Sequence, residues 1–170
     1  MIEIKAATTE LIPSFYEALK SVAADKIFLE MVEPPSLEKV TGFQQQLMQK
    51  NGPIFYAVNK TENNEQVVGW CDIFPNNNIR MSHRGSLGMG LVQEFRGRGL
   101  GSQLLAAALK QAKIYGLEKV ELSVYSTNTD AISLYQKFGF EQEGLIKKYR
   151  KLDGVYYDGL CMGLFLNLST

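Results

Sequence analysis

Apolar residues in this chain follow two periods, strict alternation in some stretches and recurrence at every third or fourth position in others, and the switches mark out strands and helices. Ile2 and Ile4 open a first strand. Ile12, Phe15, Leu19 and Val22 then repeat at helical spacing, which predicts a helix ending near Ala24. Residues 25–35 are apolar but irregular and close on Pro34-Pro35, so a loop is expected there. Ser36 then caps a second helix marked by Val40, Phe43 and Leu47, which Asn51-Gly52-Pro53 stops. Residues 54–60 and 66–74 alternate as strands around a polar connection, the signature of a hairpin, and Pro75-Asn76-Asn77-Asn78 makes the next turn.

A fourth strand starts at Met81 or Arg84 and runs to Val92. The helix after it, from near Gly99, carries Leu100, Leu104, Leu105, Ala108, Leu109 and Ala112 on one side and ends at Gly116. Val120, Leu122 and Val124 form a fifth strand, parallel to the fourth through a strand-helix-strand crossover. Asn128 caps a short helix with Ala131, Leu134, Tyr135 and Phe138, stopped at Gly139. Residues 147–152 and 155–166 flank Asp153-Gly154, a favoured composition for a tight hairpin turn. No repeat or linker interrupts this order, so residues 1–170 read as a single α/β domain with helices on both faces of one sheet.

Composition narrows the partners. At 170 residues and 45% hydrophobic content the chain can bury a core without staples. Its 18 basic and 18 acidic side chains balance, which gives no bulk signal for nucleic acid or membrane, so any positive field is local. Cys71 and Cys161 stand far apart, outside any Cys/His cluster, which argues against a metal site or a disulfide framework. Met1 leads directly into the first strand, without a signal-peptide core or a run able to span a bilayer, and a cytoplasmic protein is the expectation.

The chemistry concentrates at residues 96–101, Arg-Gly-Arg-Gly-Leu-Gly, where the glycine-spaced fourth strand gives way to the helix. Glycines let successive N–H groups turn toward one point, the new helix adds unpaired donors and its positive dipole end, and Arg96 and Arg98 add mobile charge. Such a cradle suits a diphosphate. A Walker loop would need Lys-Ser or Lys-Thr after the glycines, which is absent; a dinucleotide fingerprint, with Glu118 or Glu121 as its acid, stays as a weaker rival. A plain strand-to-helix turn is the bland alternative.

Three features follow in fixed order: the cradle, Asn128 past the fifth strand, and Tyr135 followed by Phe138-Gly139-Phe140. Arg96, Gly99 and Gly101 match the pattern Arg/Gln-x-x-Gly-x-Gly/Ala, and Asn128, Ala131, Leu134, Tyr135, Gly139 and Phe140 match Asn-x-x-Ala-x-x-Leu-Tyr-x-x-x-Gly-Phe. Together they resemble the GNAT superfamily of N-acetyltransferases. The resemblance implies a mixed, mostly antiparallel sheet whose parallel fourth and fifth strands splay apart. It implies acetyl transfer from acetyl-CoA to a primary amine by direct attack in a ternary complex, with pantetheine lying between those strands like a further strand.

Carried onto this sequence, the backbone of Leu91, Val92 and Gln93 would pair with pantetheine and polarise the thioester carbonyl. Arg96, Gly97, Arg98, Gly99, Leu100, Gly101 and Ser102 would hold the pyrophosphate, Asn128 the cofactor arm, and the Tyr135 hydroxyl would face the departing sulfur. A phenol with pKa about 10 can donate a proton or a strong hydrogen bond to a thiolate whose acid has pKa about 8.5. Without that role, Asn128 reads as a plain helix cap and Tyr135 as a core aromatic.

The acceptor ammonium must also lose a proton. The family often places a Glu or His on the fourth strand for this, and Ser86 to Gly90 offer no acid. His83, Asp72, Glu33 and Glu30 are the remaining candidates for the base, and an α-amine could manage without one. Ile27, Phe28, Leu29 and Met31 lack a periodic face to bury, which suggests that residues 25–35 form a lid over the acceptor. The expected acceptor is a small amine such as an amino acid, a polyamine or an amine-bearing antibiotic. A protein N-terminus or lysine, or a non-catalytic acetyl-CoA sensor, are the rivals. The resemblance is also compatible with a homodimer through the final hairpin.

Overall fold

In the computed structural model, which describes residues 1–166, the two periods become β1 (Ile2–Ala6), α1 (Ile12–Ala24), α2 (Leu37–Gln49), β2 (Ile54–Thr61), β3 (Asn64–Pro75), β4 (Arg84–Leu91), α3 (Leu100–Tyr115), β5 (Lys119–Tyr125), α4 (Thr129–Lys137), β6 (Glu141–Leu152) and β7 (Val155–Phe165). The strands hydrogen-bond in the order β1-β2-β3-β4-β5-β7-β6, a mixed sheet in which the β1–β2, β2–β3, β5–β7 and β6–β7 ladders are antiparallel and β4–β5 is parallel. That parallel ladder sets Arg84, Gly85 and Ser86 opposite Lys119, Val120 and Glu121 and ends there.

Residues 1–74 and 88–116 form one compact unit. Phe15, Leu19 and Val22 of α1 and Val40 and Leu47 of α2 share a core with Ile54, Tyr56 and Val58 of β2 and Val67 and Trp70 of β3. Each large apolar side chain buried there contributes roughly 1.5–3 kcal/mol. Phe15 stacks on Tyr56 with ring centroids 5.2 Å apart and meets the Trp70 ring edge-on at 5.4 Å, so Trp70 is a core residue. Trp70 lies where a Cβ on Gly90 would be, and glycine is what lets β4 pass beneath the indole. α3 packs on β1 and β2 and buries the stripe Leu100, Leu104, Leu105, Ala108, Leu109 and Ala112, as its spacing predicts. In β3, Val68 is the extra residue of a bulge, because Ala57 pairs with Gly69 and Val58 with Val67.

α2 departs from expectation. Phe43 is 56% exposed, and the buried face is Val40, Gln44 and Leu47. Positions 40, 44 and 47 follow the i, i+4, i+7 spacing, and Gln44 tolerates burial because both ends of its amide are hydrogen-bonded.

Residues 75–87 and 117–166 form the second unit. Arg84 pairs with Glu121, and Lys119 bridges Glu121 and Glu143. The β6–β7 hairpin closes through Asp153 and Gly154, both at positive φ (+48° and +81°), as the Asp-Gly pair predicts. β6 starts at Glu141, earlier than position 147. Register shifts between Gln142 and Gly144 and between Ile146 and Arg150 break the alternation that would otherwise reveal its first half. β4 starts at Arg84, because residues 79–81 form a 3-10 turn.

Candidate active site

The cradle forms as its composition dictates. β4 ends at Leu91, a 3-10 turn covers Gln93–Phe95, and Gly97 and Gly99 both take left-handed φ (+73° and +76°) before α3 begins. No atom crowds the Cβ position of either glycine, so backbone conformation and not space requires them. Gly99 provides no side-chain cap, and the first backbone bond back into the helix runs from Gln103 N–H to the Gly99 carbonyl at 3.3 Å. The N–H groups of Leu100, Gly101 and Ser102 are therefore left without intrahelical partners at the positive end of a 16-residue helix. This donor set fits a diphosphate.

The two arginines differ. Arg98 is exposed, donates to the Glu94 carbonyl at 2.8 Å and lies over the Phe95 ring. Arg96 is not the mobile charge expected of it. Its Nε donates to the Leu91 carbonyl at 2.9 Å, its terminal nitrogen pairs with Asp25 at 2.7 Å, and its guanidinium sits 4.3 Å from the centre of the Phe28 ring. Arg96 thus ties the start of the 25–35 loop to the end of β4. Tyr16 ties the other end, donating to the Pro35 carbonyl at 3.0 Å. Phe28 and Leu29 pack against the α1–α2 core, while Ile27, Met31 and Val32 stay exposed.

Of the expected pantetheine partners, Val92 has spent its N–H on the Val68 carbonyl of β3 at 2.9 Å and its carbonyl on Phe95. Strand alternation turns the Leu91 N–H to the opposite side of β4. The Leu91 carbonyl is occupied by Arg96, and the Gln93 carbonyl accepts from Arg96 N–H at 3.2 Å.

The four base candidates lie in unlike surroundings. Glu30 and Glu33 are exposed on the 25–35 loop, and His83 is exposed, its carbonyl accepting from Glu118 and Lys119. Asp72 is only 8% exposed. Gln44 Nε2 donates to its Oδ2 at 3.4 Å, and the Tyr56 hydroxyl donates to Gln44 Oε1 at 2.7 Å. Burial raises the Asp72 carboxyl to about 7 against a weaker lowering by the Gln44 hydrogen bond. The same burial, with the Asp72 charge adding to it, pushes the Tyr56 hydroxyl and the Cys71 thiol upward. Gln44 gave no signal in the sequence beyond a polar residue at a core spacing.

In the second unit, Asn128 Oδ1 accepts from Ala131 N–H at 3.3 Å and caps α4, which commits the amide oxygen. Tyr135 is 7% exposed, with its ring 5.6 Å from that of Phe140. Gly139, at φ +93°, turns the chain so that Phe140 N–H reaches back to the Tyr135 carbonyl at 3.1 Å.

The model of the acetyltransferase (GNAT) family matches residues 14–140. The SPbeta prophage-derived uncharacterized N-acetyltransferase YokL of Bacillus subtilis is 28% identical over 134 residues, covering 77% of this chain and 72% of that protein. The L-amino acid N-acetyltransferase AaaT of Escherichia coli is 33% identical over 97 residues, 56% of this chain and 60% of that protein. The fold is shared with a GNAT superfamily phosphinothricin acetyltransferase from Sinorhizobium meliloti solved in complex with acetyl-CoA, at TM-score 0.87 and 19% identity over 97% of this chain and 88% of that one. The chain belongs to the GNAT acetyltransferase family, whose members carry an acetyl group from acetyl-CoA to the nitrogen of an amine.

Proposed function

We propose that the acceptor is a small primary amine, such as an amino acid, a polyamine or an amine-bearing antibiotic, acetylated by direct attack in a ternary complex. The observation that carries this reading is the 25–35 loop, drawn in at both ends by the Asp25–Arg96 and Tyr16–Pro35 contacts, as suits a wall around a small acceptor. The likeness to an L-amino acid N-acetyltransferase supports it.

In this reading Gly97, Arg98, Gly99, Leu100, Gly101 and Ser102 hold the pyrophosphate through backbone N–H groups and one guanidinium. Arg96 frames the cradle. Leu91 N–H donates to the thioester carbonyl, the Asn128 amide nitrogen to the cofactor arm, and the Tyr135 hydroxyl to the sulfur. Acetyl-CoA supplies an acyl group activated by a thiol leaving group. Two free cysteines support a reducing, cytoplasmic setting. Exposed Leu145, Ile146, Val155 and Tyr156 support a homodimer contact on the β6–β7 hairpin.

Coenzyme A release by wild type and Tyr135→Phe, measured against free amino acids, polyamines, aminoglycosides and short peptides, tests the reading. Turnover is expected with one small-amine class, falling roughly 10²-fold in the variant with acetyl-CoA affinity retained. Turnover on peptides alone would move the acceptor to proteins. Cofactor binding with no turnover on any amine would make the chain a sensor.

A further inference from the structure

The acceptor reaches the site as an ammonium, and the stretch of β4 from Ser86 to Gly90 carries no group to take its proton. We propose that Asp72 on β3 is that general base, working through Oδ1 over the bare face of Gly88 on β4, with Gln44 as its positioning residue. This rests on the small-amine acetyltransferase reading above.

The two carboxylate oxygens are in different circumstances. Oδ2 receives the Gln44 amide, whose orientation is locked by the Tyr56 hydroxyl behind it. Oδ1 lies 3.0 Å from the point where a Cβ on Gly88 would stand, so the carboxylate fills the space that a β4 side chain would otherwise enter. No protein group hydrogen-bonds Oδ1 among the described residues. Nor is Oδ1 sealed, because Arg84 Nε is the one fully buried side-chain polar atom without a partner among them. An oxygen with a fixed direction, no protein partner and residual contact with solvent is placed to receive a proton.

The surroundings leave the charge uncompensated. Among the described residues no lysine, arginine or histidine lies in ion-pair range of Asp72; β2 presents the Tyr56 hydroxyl, β3 the Cys71 thiol, α2 the neutral Gln44 and β4 Gly88. Burial keeps the phenol and the thiol protonated, so Asp72 is the group there that titrates near neutrality, at about 7. A buried carboxylate without a cation gives the fold nothing that an apolar residue would not, whereas a base poised near the working pH is what deprotonation of an amine requires.

The proton balance closes. The ammonium gives one proton to Asp72 Oδ1; the freed nitrogen pair forms the C–N bond to the acetyl carbon as the C–S bond breaks and its electrons leave on sulfur. The nitrogen then sheds a second proton, which matches the one the thiolate takes up through Tyr135, and Asp72 releases its proton to solvent.

The test uses the full chain. In protein free of acetyl-CoA, the 13C carboxyl signal lost in Asp72→Asn is expected to titrate near pH 7; a midpoint below about 5 overturns the proposal. With an acceptor of pKa about 9–10, wild-type kcat/KM should rise with unit slope to a bend near pH 7 and then level. In Asp72→Asn the bend should vanish. The rate, roughly 10²-fold lower at pH 7.5, should climb toward the amine's own pKa with acetyl-CoA Kd unchanged. Gln44→Leu, which removes a donor to the charged form, should shift the bend upward, and Gly88→Ala, which crowds Oδ1, should lower kcat/KM without weakening acetyl-CoA. A bend that survives Asp72→Asn, or a loss equal at every pH, overturns the assignment. If wild type acetylates no amine, the small-amine reading fails by itself, and the carboxyl titration still decides whether Asp72 holds a proton near neutrality.

Discussion

A carboxyl group withdrawn from water without a cation leaves its mark on the pH dependence of the fold. Folded Asp72 keeps its proton up to about pH 7, whereas an ordinary aspartate gives it up near 3.8. Between those values the native state binds more protons than the unfolded one, so stability falls as pH rises through the window and the loss is complete above it. The shift corresponds to a penalty on the order of 4 kcal/mol. Asp72→Asn is neutral at every pH, so it should match wild type near pH 4 and exceed it at pH 8 by roughly 10 °C in Tm. Thermal melts of both proteins across pH 4–8 check this, and parallel curves would mean that Asp72 is solvated in the native state. The sequence could offer Asp72 only as one candidate among four, because strand alternation does not say which face of β3 a helix covers. Gln44 was hidden for a related reason: a pattern of apolar positions selects Phe43, and only the partners Tyr56 and Asp72 explain why the amide, not the ring, faces inward.

Among the elements, the 25–35 loop shows how one side chain can serve two neighbours. Arg96 was legible as part of a cradle, since its spacing to Gly99 and Gly101 is local. That it grips Asp25, 71 positions earlier, and lies over Phe28 was not, because long-range pairs leave no periodic trace. The ion pair is partly exposed on both sides and contributes no more than about 1 kcal/mol, with the ring contact adding roughly 0.5–1 kcal/mol. Arg96→Ala should therefore cost about 1–2 kcal/mol in global stability. Its larger effect is local. Hydrogen exchange and proteolysis should rise within residues 25–35, and acceptor KM should rise several-fold more than acetyl-CoA Kd. The reverse pattern, a protected loop with cofactor binding lost, would make Arg96 a phosphate ligand as the family pattern implies. The remaining elements were read nearly to their bounds wherever alternation or helical spacing runs unbroken; the first half of β6 escaped because bulges interrupt it.

For the molecule as a whole, 18 basic and 18 acidic side chains leave no net field to draw an anionic cofactor from a distance. Order along the chain was enough to recognise the family, since the cradle, the Asn128 cap and the Tyr135 helix are each local motifs, while the contacts that make Arg96 a tether and bury Asp72 against Gln44 are not. In the proposed reading, recognition of acetyl-CoA then falls to oriented backbone N–H groups at α3, which move with the fold and carry no mobile counterions, and to the exposed Arg98 guanidinium. The two respond differently to salt. At about 0.5 M ionic strength screening acts within roughly 5 Å, which weakens an exposed guanidinium but leaves direct N–H contacts largely intact. Raising NaCl from about 50 to 500 mM should thus weaken acetyl-CoA binding only about two- to fivefold, and Arg98→Ala should remove most of that dependence while lowering low-salt affinity by a similar factor. Titration calorimetry at the two salt levels reads both quantities. A fall of roughly 10²-fold, persisting in Arg98→Ala, would point to an extended basic surface at odds with a balanced chain that binds through helix-terminal N–H groups.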